Sequence, residues 1–149
     1  MQKYYLAQVN ISKLLAPIDS PLLADFVAQL DEINALAEKS KGFVWRLKGD
    51  NENATALRIF DDADIIINMS VWETIEDLKE FAFKTAHVGV MRERNKWFEK
   101  PSGAMLALWW IPHNYTPTPH DAKERLESIN KNGSTPFAFT FKDVFLPIV

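Results

Sequence analysis

Apolar and polar residues alternate with a period of two over residues 3–12, where Tyr5, Ala7, Val9 and Ile11 are apolar and Gln8 and Asn10 are polar. Side chains of a strand alternate between two faces, so this period predicts a first strand. The pattern breaks over residues 16–21. It resumes at helical spacing in Leu23, Phe26, Val27, Leu30, Ile33, Asn34 and Ala37, with Asp31, Glu32, Glu38 and Lys39 off that stripe. Ser20 followed by Pro21 marks the helix start: a hydroxyl able to cap free N–H groups, then a residue whose missing N–H costs nothing in the first turn. Gly42 suits the helix end, because it takes the left-handed conformation at little steric cost.

Residues 42–48 alternate again and predict a second strand. A polar, turn-rich stretch follows over 49–55 and extends through 60–64 as a long surface loop of the kind that borders a site. Residues 65–73 form the strongest strand pattern in the chain. Thr74, with Asp77 three positions on, resembles a capping box and opens a second helix that continues past Phe83. Helical spacing runs on from about 86 to 99 and stops at Pro101-Ser102-Gly103. Residues 104–111 are a continuous apolar run of strand length, ended by Pro112.

The order β-α-β-β-α-β predicts an α+β, ferredoxin-like arrangement, a four-stranded antiparallel sheet with both helices on one face. A linker over 114–119 leads into a helix over about 119–132, whose apolar stripe is only Ala122, Leu126 and Ile129; Gly133 closes it. The tail places Phe137, Phe139 and Phe141 at alternate positions, a strand-like pattern. The chain reads as a single domain over 1–149, with a core over about 3–112 and an extension over 113–149.

A sheet covered on one side should be polar on the other, and the strands do not follow that rule. One parity gathers Tyr5, Ala7, Val9, Ile11, Phe43, Trp45, Leu47, Ile65, Ile67, Met69 and Val71, which suits a face under helices. The other gathers Tyr4, Leu6, Gln8, Asn10, Val44, Arg46, Ile66, Asn68, Ser70 and Trp72. This second set is too apolar for open solvent, yet it carries four uncharged polar side chains and an arginine. Packing on another copy of itself, or lining a cavity, accounts for it; a barrel of two sheets does both. Cover by the C-terminal helix and Phe-rich tail of the same chain is the alternative.

Composition narrows the classes. At 149 residues with a formal charge of −3 and no Lys/Arg run, the chain lacks the electrostatic footprint of a nucleic-acid binder. It has no cysteine, which excludes disulfides, thiolate metal sites and a Cys nucleophile. The start shows no signal-peptide pattern and no apolar run approaches a membrane span, so a cytoplasmic protein is expected.

The stretch Asn68-Met69-Ser70-Val71-Trp72-Glu73, then Phe81, then Ala86-His87 with Met91, Arg92, Arg94, Trp97 and Phe98, resembles the antibiotic-biosynthesis-monooxygenase-like proteins of the dimeric α/β-barrel superfamily. Within that superfamily it is similar to a small bacterial family of unassigned function, which shares the opening Leu6-Ala7-Gln8-Val9-Asn10, a Phe-Val-Trp-Arg second strand and Leu108-Trp109-Trp110. The resemblance covers about residues 4–142. It implies a homodimeric barrel, with the second sheet face against a sister subunit. It does not fix the chemistry, because the superfamily includes cofactor-free oxygenases, haem-dependent enzymes, isomerases and members without known activity.

His87 stands near a helix start, where the positive dipole end favours neutral imidazole as a base or metal ligand. Met91 and Arg94 share its face at i+4 and i+7. His87 as base and Arg94 as anion clamp are the expected catalytic pair; a structural histidine under a loop is the alternative. Haem would need only one axial histidine, aromatic neighbours and arginines for its propionates. Arg46, Arg92 and Arg94 are the cations suited to a carboxylate or phosphate. Gln8, Asn10, Asn68 and Ser70 are expected to point into the space between two sheets, where neutral polar groups orient a small ligand. Trp72, of the same parity, is its expected wall, while Trp45, Trp109 and Trp110 read as packing residues. His113 and His120 lack partners at metal-ligand spacing, and no GxSxG, P-loop or GxGxxG is present. The expected function is a monooxygenase-like enzyme for an apolar or aromatic small molecule. The alternatives are a non-catalytic dimeric barrel and a small-ligand or haem-binding protein.

Overall fold

In a computed structural model of the chain, residues 3–16, 20–47, 65–84, 96–99 and 104–147 are described. The described elements are β1 (Tyr4–Lys13), α1 (Ala24–Glu38), β2 (Phe43–Arg46), β3 (Ile65–Trp72), α2 (Ile75–Lys84), β4 (Leu106–Pro112) and α3 (Pro119–Asn132). They form one antiparallel sheet in the order β2-β3-β1-β4. This is the ferredoxin-like α+β arrangement. None of the described helices is long and apolar enough to cross a membrane.

Both crossover helices lie on one face. Ile33, Leu36 and Ala37 of α1 and Ile75, Leu78 and Phe81 of α2 pack with Leu6, Trp72, Leu108 and Phe139. A second cluster on the same side joins Leu14, Leu23, Phe26, Trp97 and Phe98, and Ile33 touches both clusters. The opposite face is a third cluster: Ala7, Val9, Ile67, Met69, Val71, Ala107, Trp109 and Ile111 pack against Ala122, Leu126 and Ile129 of α3.

These contacts overturn the expected assignment of faces. The set containing Gln8, Asn68, Ser70 and Trp72 lies beneath α1 and α2 of its own chain, and the wholly apolar set lies beneath α3. A short helix with three apolar positions can bury them only on a surface free of polar groups. The wholly apolar face provides that surface. A bulge also breaks the parity of β2: Phe43 pairs with Trp72 but Trp45 pairs with Val71, so Val44 is the extra residue. Phe43 therefore belongs with Trp72, its ring edge-on at 5.5 Å, and not with Trp45.

Local signals fared unevenly. Thr74 caps α2 by accepting from the Asp77 amide at 3.1 Å. Ser20 makes no side-chain cap; a 3-10 turn over Pro21–Leu23 precedes α1 instead. Gly42 adopts φ +82, and a Cβ there would run into the Asp77 side chain, so conformation and space both require glycine. The helix expected to reach Glu99 does not do so. Leu15 donates to the Trp97 carbonyl at 2.8 Å, Glu99 donates to the Lys13 carbonyl at 2.8 Å, and Leu14 and Phe98 form a bridge. Of the tail, Phe139 alone joins the sheet, bridging Leu108 at the edge of β4.

Candidate functional site

The face under α1 and α2 can be followed as cross-strand rows. Phe43, Trp72, Leu6 and Trp110 form the first; Arg46, Ser70, Gln8 and Leu108 the second; Asn68, Asn10 and Leu106 the third. Leu6 and Trp72 are fully buried, and the Trp72 ring stacks on Phe81 of α2 at 5.3 Å. Polar side chains take over in the second row. Gln8 is 6% exposed and Ser70 7%, while Asn10 is half-buried and Asn68 exposed. The polar tract thus begins in the core and ends at solvent, between the two apolar clusters of this face.

Hydrogen bonds tie the tract together. Gln8 Nε2 donates to Ser70 Oγ at 2.7 Å and to Asn68 Oδ1 at 2.9 Å, and Trp72 Nε1 donates to Ser70 Oγ at 2.8 Å. Buried polar groups are costly unless paired. A fold needing only packing would place leucine or valine at these positions, as it does on the other face.

Arg46 extends the tract to β2, opposite Ser70 in register. Its Nε lies 3.5 Å from Glu38 Oε2 at the end of α1, so this cation is held beside a carboxylate. A shallow groove of about 470 Å³ follows β2, lined by Glu38, Phe43, Val44, Trp45, Arg46 and Leu47.

The structure brings together five of the expected ligand residues, Gln8, Asn68, Ser70, Trp72 and Arg46, with Asn10 paired to Asn68. They face α1 and α2 and not a space between two sheets. His87, Met91, Arg92 and Arg94 lie outside the described residues. Trp45 and Trp109 join the apolar cluster under α3, as packing residues should. Trp110 is half-buried on the other face, its Nε1 donating to the Phe145 carbonyl at 2.8 Å. Amide, hydroxyl, indole and guanidinium groups offer no axial ligand to haem iron, and no metal-holding group of His, Asp and Glu occurs among the described residues.

One cluster was not anticipated. Tyr115 donates to Asp121 at 2.6 Å, and Asp121 and Thr118 complete a capping box at the start of α3. Four residues on, Arg125 donates to the Phe137 carbonyl at 2.7 Å and lies over the rings of Phe137 and Trp109. Burial raises Asp121, but bonds from Tyr115 and Thr118 and the nearby Arg125 outweigh it and hold the carboxyl below its usual value. The hydrogen bond to Asp121, aided by burial, pushes the Tyr115 phenol up. This cluster fastens α3 to the apolar face. Thr118 with Asp121 three residues later was its readable signal.

A family model for a domain of unknown function (DUF3291) matches residues 5–148. No protein with a curated description matches the sequence. Among solved structures, the chain is similar to a candidate antibiotic biosynthesis monooxygenase from Nitrosomonas europaea, with TM-score 0.50 and 10% identity over 77% of this chain and 94% of that one. It is similar also to a protein from Pseudomonas aeruginosa, with TM-score 0.50 and 8% identity over 77% and 99% of the two chains. A dabb family protein with a ferredoxin-like fold from Mesorhizobium loti aligns with TM-score 0.43 and 15% identity over 76% and 98%. At such identities the likeness is one of fold.

Proposed function

We propose that this chain, which belongs to the DUF3291 family, binds a small molecule with an apolar body and a polar edge against the polar tract of Gln8, Ser70 and Asn68, and oxidises it in the manner of a monooxygenase. The observation carrying the binding part is the buried Gln8–Ser70–Trp72 network, which continues to exposed Asn68 between two apolar clusters. Apolar walls with a few placed polar groups are what a small-ligand site requires. The oxidation part rests on the sequence resemblance around residues 68–73, 81 and 86–98.

Without a redox cofactor, all four electrons that reduce O2 must come from the substrate. A methylene beside an activating ring becomes a carbonyl, one oxygen atom of O2 enters the product, and the other leaves as water with the two hydrogens. The buried tract orients the polar edge, the indole of Trp72 closes the inner end, and the sequence assigns His87 as base and Arg94 as anion clamp. The described lining comes from one chain, so the reading holds for a monomer and for a homodimer alike.

The test is ligand binding by calorimetry over a panel of aromatic ketones and phenols, followed by oxygen uptake with any that bind. Gln8→Met should abolish binding while the protein stays folded, and His87→Ala should abolish uptake while sparing binding. A Gln8→Met protein that binds the same ligands equally well contradicts the site. Binding without oxygen uptake leaves a binding protein and overturns the monooxygenase part.

A further inference from the structure

We infer that the Ser70 hydroxyl is the donor that takes an oxygen atom of the bound molecule, so that the polar tract selects ligands bearing a delocalised oxyanion or a strongly polarised carbonyl, such as a phenolate or an enolisable ketone. This rests on the polar tract being a ligand site, and adds which atom recognises what.

A serine oxygen has two lone pairs and one hydrogen. Both lone pairs of Ser70 Oγ face donors, the Gln8 amide at 2.7 Å and the Trp72 indole at 2.8 Å. Neither nitrogen can accept, so the hydroxyl hydrogen must point away from both. No acceptor for it occurs among the described residues, although Ser70 is 93% buried. A buried donor with no acceptor among the described residues is costly, and a ligand oxygen supplies one.

The same two bonds set the character of that donor. Hydrogen bonds received by an oxygen draw electron density from its O–H and strengthen it as a donor, and apolar surroundings reduce screening. Leu6, Trp72 and Leu108, all fully buried, supply those surroundings. Arg46 adds positive charge from the adjacent strand, partly offset by Glu38. Among the described residues, Arg46 is the cation nearest Ser70, and its pairing with Glu38 leaves it poorly placed to hold a full carboxylate bidentately. A diffuse anion needs one strong donor and a nearby positive charge. Trp72 and Gln8 are then positioning residues, acting through Ser70.

4-Nitrophenol is a suitable probe, because its visible absorbance reports its ionisation. The bound phenol should ionise about one pH unit below the free one, a tenfold preference for the phenolate. Ser70→Ala should bind with that preference lost, Ser70→Thr should restore it, and Trp72→Phe should keep part of it. A merely structural role for Ser70 would not move the ionisation of a bound probe. A bound phenol that ionises at or above its free value in the unaltered protein overturns the inference, as does an unchanged shift in a folded Ser70→Ala protein. Failure of the unaltered protein to bind the panel of phenols and ketones at all instead overturns the site.

Discussion

The two faces of the sheet are built from the same four strands and come out chemically opposite. Under α3 the strands present Ala7, Val9, Ile67, Met69, Val71, Ala107, Trp109 and Ile111, with no polar side chain among them. Under α1 and α2 the same strands present Gln8, Asn10, Asn68, Ser70 and Arg46 amid leucine and aromatic rings. Packing alone rewards the first arrangement, because apolar burial is favourable and buried polar groups must find partners. The second keeps polar groups whose hydrogen bonds roughly offset their desolvation and add little net stability. That difference teaches where to look for function: on the face that the two crossover helices cover.

The contrast predicts an order of effects. Trp109→Ala, on the apolar face, removes a ring that is 1% exposed. It should cost about 3–5 kcal/mol in denaturant unfolding, with no effect on ligand affinity beyond that of lost folded protein. Ser70→Ala leaves the Trp72 indole N–H without its acceptor. A cost of about 1–3 kcal/mol is expected. Gln8→Met removes one side of the network while keeping its volume; about 1 kcal/mol is expected, together with loss of ligand binding. A Gln8→Met variant as damaging as Trp109→Ala would mean that the tract is scaffold, and the comparison would fail.

The smallest effect concerns how α3 is fastened. Asp121 is held below its usual value in the folded chain, so its contribution is present above the unfolded carboxylate pKa and is lost as pH falls through the folded one. Tyr115 is held above its ordinary value, so its contribution is present below the unfolded phenol pKa and is lost as pH rises through the folded one. Protection of the α3 amides from exchange, taken against the intrinsic rate at each pH, should therefore be greatest near neutrality and fall in acid. Asp121→Asn should remove most of the acid dependence. Tyr115 is exposed and Asp121 only half-buried, and added salt should blunt the effect.

Much of the fold was legible because its signals are local. The strand periods, the Thr74 cap and the limits of α3 each rest on neighbouring residues. The assignment of faces does not. Phe43-Val44-Trp45-Arg46-Leu47 reads as plain alternation, and the bulge at Val44 exists only through pairing with β3. Giving the more apolar parity to the crossover helices leaves the C-terminal helix only the mixed face, whereas its stripe of Ala122, Leu126 and Ile129 needs the wholly apolar one. The polar residues of the site could be found because uncharged polar side chains stand out in apolar strands. Their bonding could not, since the Gln8–Ser70 contact spans 62 residues.

The central claim is that a ligand sits on the polar face and not on the apolar one. The five tryptophans each give a side-chain indole N–H signal in a proton–nitrogen NMR spectrum, and Trp72 and Trp109 lie on opposite faces. On titration with 4-nitrophenol, the Trp72 signal should move with saturation while the Trp109 signal stays still. A Trp109 signal that moves while Trp72 does not would place the ligand under α3 and contradict the account.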